Sequence, residues 1–380
     1  MPVYLDHNAT TPLLPEVLEA MLPFFREEFG NASSRTHAWG WRAAAHIDTA
    51  REAVAALIGA EPDEIVFTSG ATESINLALK GTFGVYRHQR PAIVVAATEH
   101  RAVLETCEQL QTAGAEILTV PVLSDGLIDL QLLKETVSER TWMVAVMATN
   151  NETGVVQPIR DIAAIAHEKG ALFFSDITQA PGRLRIDVNE EGIDLCSLSA
   201  HKFHGPKGVG ALFLRRKNPR VSLKAEITGG GQEHGRRSGT LNVPGIVGMG
   251  AAARIAHRDW WEDAQHISTL RVQLEQSLLD LGGITVNGST RFRLPNTSNL
   301  CFHGINAGEL MRKLPDIGVA TGSACSSAEE KPSHVLTAMG LQEEASSSIR
   351  FSLGKTTTEV EILEAIDKVT AAVHALRNRA

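Results

Sequence analysis

The feature that most constrains this chain is an alternation between residues 60 and 215. Short continuous apolar runs at 64–67, 93–97, 143–148, 172–174, 195–198 and 212–214 recur there, with amphipathic stretches between them. Runs that do not alternate with polar residues are what parallel strands covered on both faces require. Their order predicts an α/β architecture, a mainly parallel sheet flanked by helices. Ahead of this region Trp41, Ala45, Ile47, Val54, Leu57 and Ile58 fall near helical spacing, and Gly59 stops that helix. After Pro244 the pattern becomes one long helical stretch to about residue 281, followed by strand candidates at 298–302, 317–321 and 349–353. A last helix opens with a capping box, Thr358 and Glu361, and carries Ile362, Ile366, Val369, Val373 and Leu376 on one stripe. The chain is therefore expected to form a large domain over 16–255 and a smaller α+β domain over 256–380 completed by 1–15.

Composition narrows the function classes. Hydrophobic residues make up 43% and charged residues 21% of 380, enough for a substantial core and too apolar for extensive disorder. A net charge of −8 gives no reason to expect direct nucleic-acid binding. The apolar runs fall far short of the roughly 18 residues of a membrane span, and the N-terminus shows no basic region followed by an apolar one. A cytoplasmic location with no membrane partner is expected. The four cysteines, Cys107, Cys196, Cys301 and Cys325, show no C-x-x-C spacing, and no H-E-x-x-H occurs, so no metal is expected and the thiols are read as free.

Ligands in open α/β sheets bind beyond the carboxyl ends of the strands. Here the strand candidates run into Thr68-Ser69-Gly70-Ala71-Thr72, Thr98-Glu99-His100, Thr149-Asn150-Asn151, Ser175-Asp176 with Gln179 beyond, and Ser199-Ala200-His201-Lys202. One polar crevice follows. Ser69 to Thr72 could serve only as a helix cap, yet the glycine, hydroxyls and free amides equally suit a phosphate. Asp176 alone reads as a salt-bridge partner and His100 as one of 14 ordinary histidines. Lys202 decides between the readings. A strand-end lysine followed by Gly205-Pro206-Lys207-Gly208-Val209-Gly210 can form a Schiff base with an aldehyde cofactor. A phosphate-binding helix terminus, an acidic partner for a pyridinium, an imidazole and such a lysine together make up a pyridoxal phosphate site. Rival motifs fail: Gly354-Lys355-Thr356 ends like a P-loop, but Ile349 stands where its first glycine belongs.

The segments LDHNATTP (5–12), TSGATES (68–74), TEH (98–100), NNETG (150–154), SAHKFHGPKGVG (199–210), RRSGT (236–240), GSACSS (322–327) and SIRFSLG (348–354) resemble cysteine desulfurases of the NifS/IscS type. These are fold-type I, class V pyridoxal phosphate enzymes, and the resemblance runs nearly end to end. It implies that Lys202 holds the cofactor, Asp176 pairs with its pyridinium nitrogen, Gln179 meets its phenolic oxygen, and His100 stacks on the ring and takes part in proton transfers. Ala71, Thr72, Ser199 and His201 would bind the phosphate, with Thr240 reaching over from the partner of a homodimer. Arg350, helped by Asn150, would clamp the carboxylate of L-cysteine, a bidentate task suited to a guanidinium. Cys325 would accept the sulfur as a persulfide and pass it to an acceptor protein, a scaffold or a thio-modification enzyme. Iron–sulfur assembly, tRNA thiolation and DNA phosphorothioation stay open as destinations.

Two departures stand out. Ile177 follows Asp176 where the family more often has alanine or glycine, and the short stretch after the last helix leads to the expectation that the extension by which housekeeping relatives dock a scaffold is not used here. A selenocysteine lyase or another class V enzyme is the alternative within the fold, and an inactive sulfur-carrier adaptor the alternative outside enzymes.

Overall fold

A computed structural model of the chain describes residues 2–322 and 332–378. The N-terminal segment forms β1 (Val3–Tyr4), α1 (Pro15–Met21), α2 (Pro23–Arg26) and α3 (Ala38–Leu57). The expected alternation follows as β2 (Ile65–Thr68), α4 (Ala71–Tyr86), β3 (Ala92–Ala96), α5 (Arg101–Thr112), β4 (Glu116–Val120), α6 (Leu130–Thr136) and β5 (Thr141–Ala145). It continues through α7 (Ile159–Glu168), β6 (Leu172–Asp176), β7 (Leu195–Ser199) and β8 (Gly210–Leu214). The C-terminal part comprises α8 (Val243–Leu279), β9 (Ile284–Val286), β10 (Thr297–Phe302), α9 (Ala307–Arg312), β11 (Ile317–Gly318), α10 (His334–Ala338), β12 (Ser348–Ser352) and α11 (Glu359–Arg377).

Seven strands pair in the order β2-β8-β7-β6-β5-β3-β4. Ile65 and Phe67 enter the core on one face of this sheet while Val66 enters the core on the other, so alternating side chains are all apolar. That is why the strands read as unbroken apolar runs. The sheet is mainly parallel, as expected, with one correction: β8, read from 212–214 as another parallel strand, is antiparallel to both β2 and β7. The segment between β7 and β8 is too short for a crossover helix, which a parallel return needs. Strand β4 escaped the sequence reading because it lies at the sheet edge, and only Val120 of its residues is buried.

A second core gathers β1, β10, β12 and α11. Here β10 pairs antiparallel with β12 and β9, and β1 pairs parallel with β11, so the first residues of the chain join its last third. The expected capping box is present: Glu361 N–H donates to Thr358 Oγ1 (3.3 Å) and Thr358 N–H to Glu361 Oε2 (2.7 Å). Helix α8, 37 residues and thus about 55 Å long, is continuous across position 255. Its first half packs Ile246, Met249 and Ala253 into the large core, and its second half packs Ile267, Leu270, Leu274 and Leu278 into the small one. The two cores are thus joined by a continuous helix, and a second time by the N-terminal segment, whose Val3 and Leu5 lie in the small core and Leu14 and Val17 in the large one.

Candidate active site

The carboxyl ends of β2, β3, β5, β6 and β7 open on one cavity of about 480 Å³. Its wall takes Asp176 from β6, Thr72, His100 and Lys202 from the segments that follow strands of the large sheet, Asn8 from the N-terminal segment and Arg350 from β12. The crevice inferred from the sequence is therefore closed from above by residues of the second core.

At one end lies the N-terminus of α4, capped by Gly70, where the first amides of the helix have no intrahelical acceptor. Ser69 N–H is already used by Glu73 Oε2 (2.7 Å), and Glu73 is held by Arg237 (Nε–Oε1 2.8 Å), which leaves the amides at Ala71 and Thr72 to an anion. Ser199 and His201 line the same end. The fit depends on Gly210: a Cβ there would lie 2.5 Å from the Leu198 carbonyl and 2.6 Å from Gly70 Cα, so only glycine lets β8 back the helix terminus. His201 Nδ1 lies 3.1 Å from Thr10 Oγ1, and burial together with Lys202 and Lys207 pushes its imidazole down to about 4. It is a neutral hydrogen-bonding group at neutral pH.

At the other end Asp176 is buried, and Oδ1 alone accepts from Thr178 N–H (3.0 Å), Thr178 Oγ1 (2.5 Å) and Ser197 Oγ (2.8 Å). The carboxylate is fixed through one oxygen, and Oδ2 is left for a ligand N–H. Ile177, the departure noted in the sequence, is fully buried in the large core. His100 caps α5, with Nδ1 accepting from Ala102 N–H (3.1 Å), so the proton of the neutral ring sits on Nε2. Burial lowers its pKa, and Lys202 and His334 add to that against the opposing pull of Asp176. Lys202 Nζ donates to the carbonyls of Asn8 (2.5 Å) and Ala9 (2.8 Å), which point it along the cavity floor. Thr149 Oγ1, on the same wall, is buried with no partner in the chain among the described residues.

Arg350 is fully buried. Its Nη1 donates to the Asn151 carbonyl (2.9 Å) and its Nη2 to Asp6 Oδ1 (2.5 Å), while Nε has no partner among the described residues. Asp6, which lies inside the LDHNATTP segment, received no role from the sequence, yet it orients the guanidinium.

Asn150 is placed differently from the expectation. It does not line the cavity: its Oδ1 accepts from Glu152 N–H (2.9 Å) and Thr153 N–H (3.0 Å), and its Nδ2 donates to the Thr98 carbonyl (3.2 Å). It ties its turn to the end of β3, and Asn151 takes the place on the cavity wall. Thr240 is exposed and away from the cavity of its own chain. Cys325 lies outside the described residues. The other three cysteines are buried: burial pushes Cys107 up to about 12, Cys196 well above the usual thiol range, and Cys301 upward as well. They are packed thiols that behave as small hydrophobes.

The residues present fit pyridoxal phosphate. Helix amides and hydroxyls face the phosphate end, a single carboxylate oxygen the ring-nitrogen end, and a lysine reaches the space between. A sequence model of the family described as Aminotransferase class-V matches residues 3–364. The chain belongs to that family. A cysteine desulfurase IscS of Anaeromyxobacter sp. (strain Fw109-5) is 49% identical over 99% of this chain and 94% of its own, and one from Rickettsia bellii is 45% identical over 100% and 92%. Among solved structures, one titled NifS-like protein superposes with a TM-score of 0.91 at 40% identity over 98% and 99% of the two chains. DndA from Streptomyces lividans does so with a TM-score of 0.78 at 36% identity over 91% and 98%. With these relatives, this family member is a pyridoxal phosphate-dependent cysteine desulfurase that moves sulfur from L-cysteine to one of its own cysteines and on to an acceptor. Among the described residues no helix is long and apolar enough to cross a membrane, and no group of His, Cys, Asp and Glu could hold a metal ion.

Proposed function

We propose that the cavity between the two cores is the desulfuration site, with Lys202 as the cofactor's attachment, Asp176 at its ring nitrogen, and Ala71, Thr72, Ser199 and His201 at its phosphate. The observation that carries this reading is that Lys202, Asp176 and Arg350, from three separate elements, line one cavity. In this reading residues 16–255 form a cofactor domain, and 1–15 with 256–380 form a domain that delivers Arg350 and Cys325 to it.

Bound pyridoxal phosphate supplies the electron sink that makes the substrate's Cα–H bond breakable. The chain does the rest. Asp176 Oδ2 holds the proton on the ring nitrogen, and Gln179 meets the phenolic oxygen. Lys202 Nζ would anchor the cofactor between these two contacts. Arg350 orients the substrate carboxylate through Nε and Nη2, with Asp6 holding the guanidinium from behind. His100 is neutral because of burial and carries its proton on Nε2, from which it can be passed to a developing anion. The Cys325 thiolate attacks the substrate sulfur, the Cβ–S bond breaks with its electron pair left on the carbon skeleton, and that skeleton takes up a proton and leaves as alanine while the sulfur stays on Cys325 as a persulfide.

The working unit in this reading is a cytoplasmic homodimer in which the exposed Thr240 completes the partner's phosphate site. The sulfur acceptor is a protein, a scaffold or a thio-modification enzyme. Lys202→Ala tests the site directly: the purified protein loses the visible absorption band of the bound cofactor, and a band of unchanged position and intensity would overturn the assignment.

A further inference from the structure

Arg183 is buried at 6% exposure, yet among the described residues no carboxylate hydrogen-bonds it and no acidic group opposes the lowering of its guanidinium. All its bonds go to oxygens of uncharged groups: Nη1 to the Gln179 carbonyl (3.2 Å) and to Gln179 Oε1, Nη2 to the carbonyls of His7 (3.2 Å) and Lys202 (3.3 Å). It thus ties the N-terminal segment to the turn that carries Lys202. Burial, and after it the nearby Arg350, lower its guanidinium to about 10, so it is charged at neutral pH. A buried cation without a counter-ion is costly, which asks for a compensating use.

The use is legible in the Gln179 amide, whose two ends are told apart by their partners. Arginine only donates, so the atom against Nη1 is the oxygen; the Asn8 carbonyl only accepts, so the atom 2.9 Å from it is the nitrogen. Gln179 lines the cavity, and its Nε2 keeps a second hydrogen for whatever occupies that space. We propose that Arg183 is a positioning residue that fixes the Gln179 amide nitrogen-end toward the cofactor and stands as an uncompensated positive charge behind it, so that the proton at Lys202 Nζ is held less tightly in the holoenzyme. The inference rests on Lys202 being the attachment point.

The sign follows from charge. A cation close behind Lys202 disfavours a further positive charge on Nζ, and an amide N–H on the phenolic oxygen draws away the negative charge that would stabilise that proton. Around Nζ the cavity also holds Asp176, His100, His201, Lys207, Glu73 and Arg350. Around Arg183 lie His7 and His204, with Asp263 and Lys355 on the small cavity that Arg183 and Lys202 share. These groups stay in place when Arg183 alone is replaced.

The test is a pH titration of the visible band of the holoenzyme, which reports the proton at Lys202 Nζ. Arg183→Met should raise the midpoint by about one pH unit, Arg183→Lys by less, and Gln179→Leu in the same direction. The double variant should shift by no more than the larger single change, because both substitutions remove one arrangement. Should Arg183→Met fail to fold, the same cycle with Arg183→Lys decides. A midpoint unmoved by replacement of Arg183, or shifts that add in full, overturns the inference alone. A band that survives Lys202→Ala overturns the site assignment and this inference with it.

Discussion

Replacing Arg350 by lysine keeps a positive charge in the cavity but removes the planar fork. Of the guanidinium's donors, one Nη1 hydrogen is spent on Asn151 and one Nη2 hydrogen on Asp6, while Nε is buried with no partner among the described residues. An unsatisfied buried donor costs about 1–3 kcal/mol, and a charged hydrogen bond contributes about 1.5–3 kcal/mol. A substrate carboxylate docked on Nε and Nη2 recovers both, and a lysine can reproduce at most one. The expected loss is therefore roughly 2–4 kcal/mol, or about 30- to 1000-fold in kcat/KM for L-cysteine. The assay is alanine formation from L-cysteine and from L-cysteinamide, which lacks the carboxylate. Wild-type enzyme should already handle the amide poorly, and Arg350→Lys should change that residual rate by less than about threefold, the interaction being absent beforehand. Equal proportional losses on the two substrates would refute carboxylate recognition by Arg350 and leave it a structural partner of Asp6.

Burial, with further contributions from neighbouring charges, holds His204 at about 4 and His7 at about 3, so both are neutral when folded, whereas in the unfolded chain they bind a proton below about 6.5. Their contribution to stability is complete above pH 6.5 and is lost as pH falls toward those folded values, roughly 2 kcal/mol each by pH 5. Denaturant unfolding at pH 7 and pH 5 should show this loss, and His204→Gln should remove one share of it; an unchanged pH slope in that variant would count against the buried neutral form. Gly354→Ala should destabilise by about 1–3 kcal/mol, because its Cβ would sit 2.3 Å from the His7 ring, which is closed in by Arg183 and His204. Unfolding curves equal to those of the parent would show that the ring has room to move.

Much of the large domain could be read from residue patterns because its strands are covered on both faces, which turns burial into unbroken apolar runs. The elements that were missed lack that property. β4 is an edge strand with polar residues, β9 is short with a single buried residue, and the antiparallel sense of β8 is set by the length of the connection before it. Within the site, Lys202, Asp176, His100 and Gln179 line the cavity because each ends or follows a strand of the large sheet, whereas Arg350, named from the resemblance alone, reaches it from β12 of the second sheet. Asn150 and Asn151 could not be separated that way: one residue of difference decides which faces the cavity and which binds its own turn. Asp6 and Arg183 were invisible for another reason. They touch the site only through contacts between the N-terminal segment, β12 and the Lys202 turn, which are remote in sequence.

In the proposed function sulfur leaves L-cysteine for Cys325 in a cavity organised around Lys202. A single turnover of the holoenzyme with L-cysteine, without acceptor or reductant, followed by alanine quantitation and peptide mass analysis, measures this most directly. One alanine per cavity and one added sulfur on the Cys325 peptide are predicted, with Cys107, Cys196 and Cys301 unmodified. Alanine without sulfur on Cys325, or sulfur on one of the three buried thiols instead, would contradict it.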